Sequence, residues 1–257
     1  MDETYQNYVN RMARLTLPST YETQLQHIQK SPKFKEGIPV PFPGFSAIAP
    51  LAENDSQNST FFSHLETSQQ QLLEQLDPGL VIPIPAKSFH LTIADLIWDS
   101  AYKDLTAKNP DFDPQLQKYL RESFHNYKQT VLPSTSGQWQ LLGLIILPRA
   151  LVVGLVPTDE ADYEKIIQLR RSIYQNANLI SLGIEQQYYL TGHVTLGYFG
   201  EIQSDLDRDR MVTILSNFND RWLESEPQFL KVDRVQLHKF NDMTRYWREP
   251  DWPIVEL

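Results

Sequence analysis

The chain contains no cysteine. That excludes disulfide staples, thiolate nucleophiles and cysteine-ligated zinc. Glycine is scarce, with 10 in 257 residues, and no glycine-rich loop of the kind that cradles phosphates occurs. Basic residues are outnumbered: 23 Lys and Arg against 32 Asp and Glu give a formal charge of −9. A surface of that sign has no general attraction for nucleic acid or an anionic membrane. Long nucleic acid and membranes are therefore not expected partners, although a nucleotide or RNA end can still bind in a local pocket. Long hydrophobic runs are missing as well. The longest, "LLGLIILP" and "ALVVGLVP", are far too short to cross a bilayer. The polar start, "MDETYQNYVNRMARLTLPS", lacks the apolar stretch of a secretory leader, so a cytoplasmic protein is the expectation. There is no G-x-S-x-G elbow for a serine hydrolase. No HxH, HxxxH or HExxH pattern completes a metal site, and no metal or cofactor is expected.

What is present reads as an ordinary globular composition, 41% apolar and 21% charged. The length suits one large domain or two small ones. The polar, Gln-rich first 35 residues suggest a helical extension, with helices over Tyr5–Arg14 and Tyr21–Gln29, ahead of a main domain over residues 36–257. A strand is predicted over Gly44–Ala52. Phe62, Leu65, Leu72, Leu73 and Leu76 fall at helical spacing, with Asp55 or Ser56 as cap. "GLVIPIP" and "SFHLTIADLIW" read as strands. Leu116, Leu120, Phe124, Tyr127 and Val131 mark another helix. "GQWQLLGLIILP" and "ALVVGLVP" resemble a hairpin split at Arg149. A helix capped by Thr158 follows, with acids in its first turn. After it come the strand "QQYYLTGHVTLGYFG", a helix with the stripe Met211, Ile214, Leu215, Phe218 and Trp222, and the closing strands "FLKVDRVQLHKF" and "MTRYWRE". Short links between strands require antiparallel pairing, so the fold class is α+β.

Two strands stand out. In "SFHLTIADL", alternation puts Ser88, His90, Thr92 and Ala94 on one face and Phe89, Leu91 and Ile93 on the other. In "YLTGHVTLGYF", Tyr189, Thr191, His193, Thr195 and Gly197 share a face. Each strand thus offers one core face and one face with His and Thr side by side. Ala94 and Gly197, two residues further on, would leave room for a ligand. A single HxT is uninformative, but two on apolar strands suggest a shared site and two similar lobes. Two imidazoles and two hydroxyls suit phosphodiester chemistry. Imidazole takes and gives protons near neutral pH, and threonine hydroxyls can donate to phosphate oxygens.

"HLTI" (His90–Ile93) and "HVTL" (His193–Leu196) resemble the paired signatures of the 2H phosphoesterase superfamily, which includes RNA 2′,3′-cyclic phosphodiesterases once called 2′-5′ RNA ligases. "PFPG", "SFHLTIADLIWDSAY", "HVTLGYFG" and "FNDM" look like a less-characterised branch of it, over roughly residues 34–243. The resemblance implies a bilobal fold: two antiparallel sheets related by a pseudo-twofold about a central cleft, with helices outside. It implies His90 and His193 as acid and base, Thr92 and Thr195 on the phosphate, and no metal. For a 2′,3′-cyclic phosphate, His193 would activate water and His90 would protonate the leaving oxygen, an assignment that near-symmetry leaves open. The expected substrate is a small nucleotide or an RNA end. The alternatives are a binding module on the same fold without turnover, and an interaction protein whose HxT pairs are structural.

Around this core, Tyr189, Tyr246, Arg149 and Lys87 are candidate substrate contacts. Trp98 and Phe199 are further stacking candidates, and Lys239 and Arg245 further phosphate contacts. His238, on "VQLHKF", reads as structural, and His27, His64 and His125 fall on predicted helices without a partner motif.

Overall fold

The computed structural model describes residues 2–51, 56–131 and 137–257. In chain order its elements are α1 (Tyr5–Arg14), α2 (Pro18–Leu25), β1 (Phe34–Lys35), β2 (Ile38–Pro39), β3 (Gly44–Pro50), α3 (Ser59–Leu73), β4 (Val81–Pro83), β5 (His90–Trp98), α4 (Asp99–Lys108), α5 (Phe112–Thr130), β6 (Gly137–Leu147), β7 (Ala150–Pro157), α6 (Glu160–Tyr174), α7 (Ala177–Ser181), β8 (His193–Phe199), α8 (Arg208–Glu224), β9 (Phe229–Val232), β10 (Arg234–Asp242), β11 (Arg245–Trp247) and β12 (Ile254–Glu256). A 3₁₀ turn, Ala86–Ser88, leads into β5.

Apart from the small β1–β2 hairpin, the strands form two antiparallel sheets. The first runs β11-β10-β3-β5, with β12 also on β10, and the second runs β4-β8-β7-β6-β9. This is the bilobal α+β arrangement expected. The two HxT strands, β5 and β8, meet where the lobes meet.

Sequence pattern explains most of this. β7, "ALVVGLVP", is buried at every position, because it lies in the middle of its sheet with both faces covered. Met211, Ile214, Leu215 and Phe218 of α8 are buried and the helix packs on β6, as a helical stripe requires. The N-terminal helices join the same core: Tyr8, Met12, Tyr21 and Leu25 are completely buried. Each such side chain contributes about 1.5–3 kcal/mol on burial. Tyr21 Oη donates to the Leu144 carbonyl at 2.6 Å and accepts from Asn219 Nδ2 at 2.7 Å, which pins α2 and α8 to β6.

Several local expectations are corrected. The second helix is Pro18–Leu25 rather than 21–29, because Pro18 supplies a favoured first-turn residue. Asn58, not Ser56, precedes α3, and Asp55 lies outside the described residues. The N-cap of α6 is Asp159, whose side chain accepts from the Asp162 N–H at 2.8 Å, not Thr158. Helix α4 was not anticipated: Tyr102 is its one buried residue, too little for a periodic stripe. The strand around His193 begins at His193 itself, and residues 185–192 are irregular.

Strict alternation also fails inside both HxT strands. In β5, Thr92 pairs with Ile48 but Ala94 pairs with the adjacent Ala47, leaving Ile93 as an extra residue. In β8, Thr195 pairs with Val152 but Gly197 pairs with Leu151, leaving Leu196 extra. Each is a β-bulge, which re-aims the side chains that follow it, and β5 has a second irregularity at Leu96, between the pairs Ser46–Asp95 and Phe45–Ile97. Ala94 is therefore buried and Asp95 takes its place on the open face. Gly197 is likewise buried, and Tyr198 takes its place. Gly197 does not leave room for a ligand. A Cβ there would lie 2.7 Å from the Ile82 carbonyl, so glycine is what lets β4 approach.

Candidate active site

The two histidines are held in the same way. His90 Nδ1 donates to the Ser88 carbonyl at 2.7 Å. His193 Nδ1 donates to the Thr191 carbonyl, also at 2.7 Å. A carbonyl only accepts, so both rings carry their proton on Nδ1 when neutral, and each leaves Nε2 as a bare acceptor. Ser88 reaches its position through the 3₁₀ turn, where its own hydroxyl donates to the Pro85 carbonyl at 2.7 Å. Thr191 is braced by α1: Arg11 Nη1 donates to its hydroxyl at 3.2 Å, and Arg11 Nη2 donates to the Leu190 carbonyl.

Burial lowers the pKa of both rings, because it disfavours the imidazolium. For His90 the result is about 4; the Ser88 bond opposes the fall, while repulsion from His193 and Lys33 adds to it. For His193 burial again dominates, but the Thr191 bond and the nearby Asp95 carboxylate oppose it, with Lys33 acting the other way. Both rings are thus neutral near pH 7 before a ligand arrives.

Beside them opens a cavity of ≈ 590 Å³, a size suited to a small molecule. His193, Thr195, Tyr246 and Arg149 line it, together with Trp98. His90 and Thr92 do not themselves line it: His90 lies behind Tyr246, with ring centroids 4.2 Å apart, and Thr92 follows on the same face of β5. Arg149 sits in the β6–β7 turn, where its Nη2 donates to Gln29 Oε1 at 3.1 Å.

Five of the expected contacts, Tyr189, Lys87, Phe199, Lys239 and Arg245, lie elsewhere. Tyr189 is exposed in the irregular segment before β8 and lines a separate depression with Asp2 and Arg171; its neighbour Tyr188 faces the cavity instead. Lys87 is exposed on the 3₁₀ turn and does not line the cavity. Phe199 is completely buried in the core. Lys239 pairs with Asp113 at 2.6 Å on the helix-covered face, and Arg245 is exposed on β11. His238 is buried and shares a hydrogen bond with Gln236 Oε1 through Nε2 at 2.9 Å.

The sequence did not single out Lys33, Asp95, Tyr188 or Tyr198, all of which line the cavity. Lys33 Nζ lies 4.9 Å from the Phe42 ring centre and 4.6 Å from that of Tyr198, and it donates to Tyr198 Oη at 3.3 Å. No local pattern marks it. Asp95 and Tyr198 are each five residues past a motif histidine, a spacing that becomes meaningful only with the bulges. Among the described residues no three His, Asp or Glu side chains gather as metal ligands, and no helix is long and apolar enough to cross a membrane.

No family model matches the chain, and no curated protein matches it by sequence. Solved structures do match. A conserved protein of unknown function from Agrobacterium tumefaciens str. C58, ATU0111, is 16% identical with a TM-score of 0.60, over 88% of this chain and 94% of that one; it shares the fold. E. coli LigT complexed with 3′-AMP is 13% identical with a TM-score of 0.40, over 84% of this chain and 95% of its own. TT0787 of Thermus thermophilus is 13% identical with a TM-score of 0.44, over 83% of this chain and 94% of its own. The likenesses to LigT and TT0787 are distant and structural.

Proposed function

We propose that the protein is a metal-independent phosphodiesterase that hydrolyses a cyclic phosphate or 2′-5′ phosphodiester of a small nucleotide or RNA end. One observation carries this reading: two imidazoles, each fixed through Nδ1 to a backbone carbonyl two residues back, on strands that meet at one cavity.

The reaction needs one proton taken and one given. A neutral imidazole accepts a proton at Nε2 from water as the water oxygen bonds to phosphorus. The bond from phosphorus to the departing ester oxygen breaks, and the second imidazole, protonated at Nε2, gives that oxygen a proton. General acid–base assistance of this kind contributes about 10²–10⁴-fold. Thr92 and Thr195 donate to the non-bridging oxygens, and the Lys33 ammonium offsets charge developing there. The negative phosphodiester itself favours protonation of one ring, which desolvation alone opposes. Phe42, Trp98, Tyr188 and Tyr246 supply faces on which a base can stack.

The test is turnover of 2′,3′-cyclic nucleotides in EDTA, with His90→Ala and His193→Ala beside the unaltered protein. The expected result is activity in the chelator and its loss in both variants. Activity unchanged in the variants would refute the reading. Ligand binding without product would instead favour a binding module on the same fold.

A further inference from the structure

The two HxT strands match through their threonines and then part. Five residues after each motif histidine, the bulge turns a side chain into the cavity: Asp95 from β5 and Tyr198 from β8. One is a carboxylate and the other a phenol, so the pseudo-twofold breaks here. We infer that Asp95 is a positioning residue that sets the direction of proton transfer, making His193 the acid and leaving His90 the base. This rests on the phosphodiesterase reading above, and it is the opposite of the assignment drawn from the family resemblance, which near-symmetry left open.

Asp95 is built into its place. Arg170, buried on α6, donates through Nη1 to the carbonyl of Ile93, the extra residue of the bulge. Its Nη2 donates to the Tyr188 carbonyl at 3.0 Å. Tyr174 Oη, one turn on, donates to the carbonyl of Asp95 itself at 2.9 Å. Ser46 Oγ donates to Asp95 Oδ1 at 3.3 Å from the neighbouring strand. Backbone and side chain are therefore both restrained.

The ionisable groups facing His193 are few. Asp95 and His90 come from β5, and Lys33 comes from the segment before β1. Arg149, Tyr188, Tyr198 and Tyr246 share the cavity, and the Arg149 guanidinium is held at the β6–β7 turn by Gln29 Oε1. Burial raises Tyr188 to about 12 and lifts Tyr246 well above the usual phenol value, so these two stay neutral. Lys33 disfavours the protonated form of both histidines, so its direction does not separate them. Asp95 is the carboxylate in the cavity lining, which it shares with His193 and not with His90, and its charge favours the protonated form of His193. Two imidazoles that share one proton hold it on the ring with the carboxylate neighbour. The ring without that neighbour remains free to accept a proton from water.

Asp95→Asn keeps the shape and removes the charge. The first readout is the imidazole titration of both histidines by ¹⁵N-edited NMR, which needs no activity. The expected result is a fall of about one pH unit in the His193 midpoint, with His90 moving less. The second readout compares a 2′,3′-cyclic nucleotide with a p-nitrophenyl phosphodiester, whose leaving group departs without a proton. The variant is expected to lose about tenfold on the cyclic substrate and little on the nitrophenyl one. The alkaline limb of its pH profile is expected to move to lower pH, and Asp95→Glu to restore part of both effects. An unmoved His193 midpoint, or equal loss on both substrates, overturns the inference. If the unaltered protein hydrolyses neither diester, the phosphodiesterase reading fails, while the NMR midpoints still decide whether Asp95 acts on His193.

Discussion

β5 and β8 carry the same His-apolar-Thr pattern but stand differently in their sheets. β8 has β7 on one side and β4 on the other, whereas β5 is the last strand of its sheet. An edge strand has carbonyls with no neighbouring strand to satisfy them. On β5 the carbonyls of Ile93 and Asp95 are satisfied by Arg170 and Tyr174 of α6. On β8 the corresponding stretch is satisfied by β4, which Gly197 admits. The same motif is thus presented by a helix in one lobe and by a strand in the other. Side-chain support tolerates a polar residue beside it, and Asp95 occupies that place. The chemical symmetry of the site and the asymmetry of its supports are separable, and each can be broken alone.

The largest effect should come from the histidines themselves. On a 2′,3′-cyclic nucleotide, His90→Ala and His193→Ala are each expected to lower kcat by about 10³-fold. On a p-nitrophenyl diester the two should diverge: His193→Ala keeps most of its rate, because no acid is needed, and His90→Ala does not. Parallel losses on both substrates, measured by steady-state kinetics, would return the site to functional symmetry.

Next comes the support of β5. Arg170→Met removes two charge-assisted hydrogen bonds and leaves two carbonyls unsatisfied, an expected loss of about 3 kcal/mol. Arg170→Lys should recover only part, since one ammonium on a flexible stem does not reproduce a planar fork that bridges two carbonyls. Urea midpoints measure both. A lysine variant as stable as the unaltered protein would mean the fork is not what holds the bulge.

On the β8 side the comparable weak point is Gly192. A Cβ there would lie 2.5 Å from the Trp139 ring, 2.7 Å from Tyr8 Oη and 2.9 Å from the Leu155 carbonyl. Gly192→Ala is expected to cost about 2 kcal/mol through overpacking, and to lower turnover through the displaced Thr191 carbonyl. A thermal melt with unchanged Tm would contradict this.

How much of this was legible in the sequence varies by element. Helix α1 coincides with the expected Tyr5–Arg14 span, and Tyr8 and Met12, four residues apart, are the side chains it buries. The β6–β7 hairpin was equally plain from its two apolar runs. Both histidines and both threonines were visible, since each precedes its bulge and alternation still holds there. Asp95 was not, because one extra residue at Ile93 moves it from the buried face to the open one, and a count by twos assigns that place to Ala94. Tyr188 was missed in favour of Tyr189 because an irregular segment has no period to extrapolate. Lys33 is brought to the cavity by a segment whose Gln29 and Ser31 N–H groups donate to the carbonyls of Pro148 and Phe199, long-range bonds with no local mark.

The smallest effect tests whether the two supports are equivalent. Tyr8, from α1, donates to the Leu155 carbonyl at 2.8 Å and accepts from the Gly192 N–H at 3.2 Å, just before His193. Tyr174, from α6, donates to the Asp95 carbonyl at 2.9 Å. Each phenol therefore braces one motif strand from a helix. Tyr8→Phe and Tyr174→Phe should each lower stability by about 1 kcal/mol. Tyr8→Phe should cost more, because Tyr8 is completely buried and its loss also removes the acceptor that Gly192 uses. The two sites brace different strands and share no partner, so the double variant should show the sum of the single effects. A double variant appreciably less or more stable than that sum, by urea unfolding, would mean that the two strands are coupled through the cavity and that their supports are one unit rather than two.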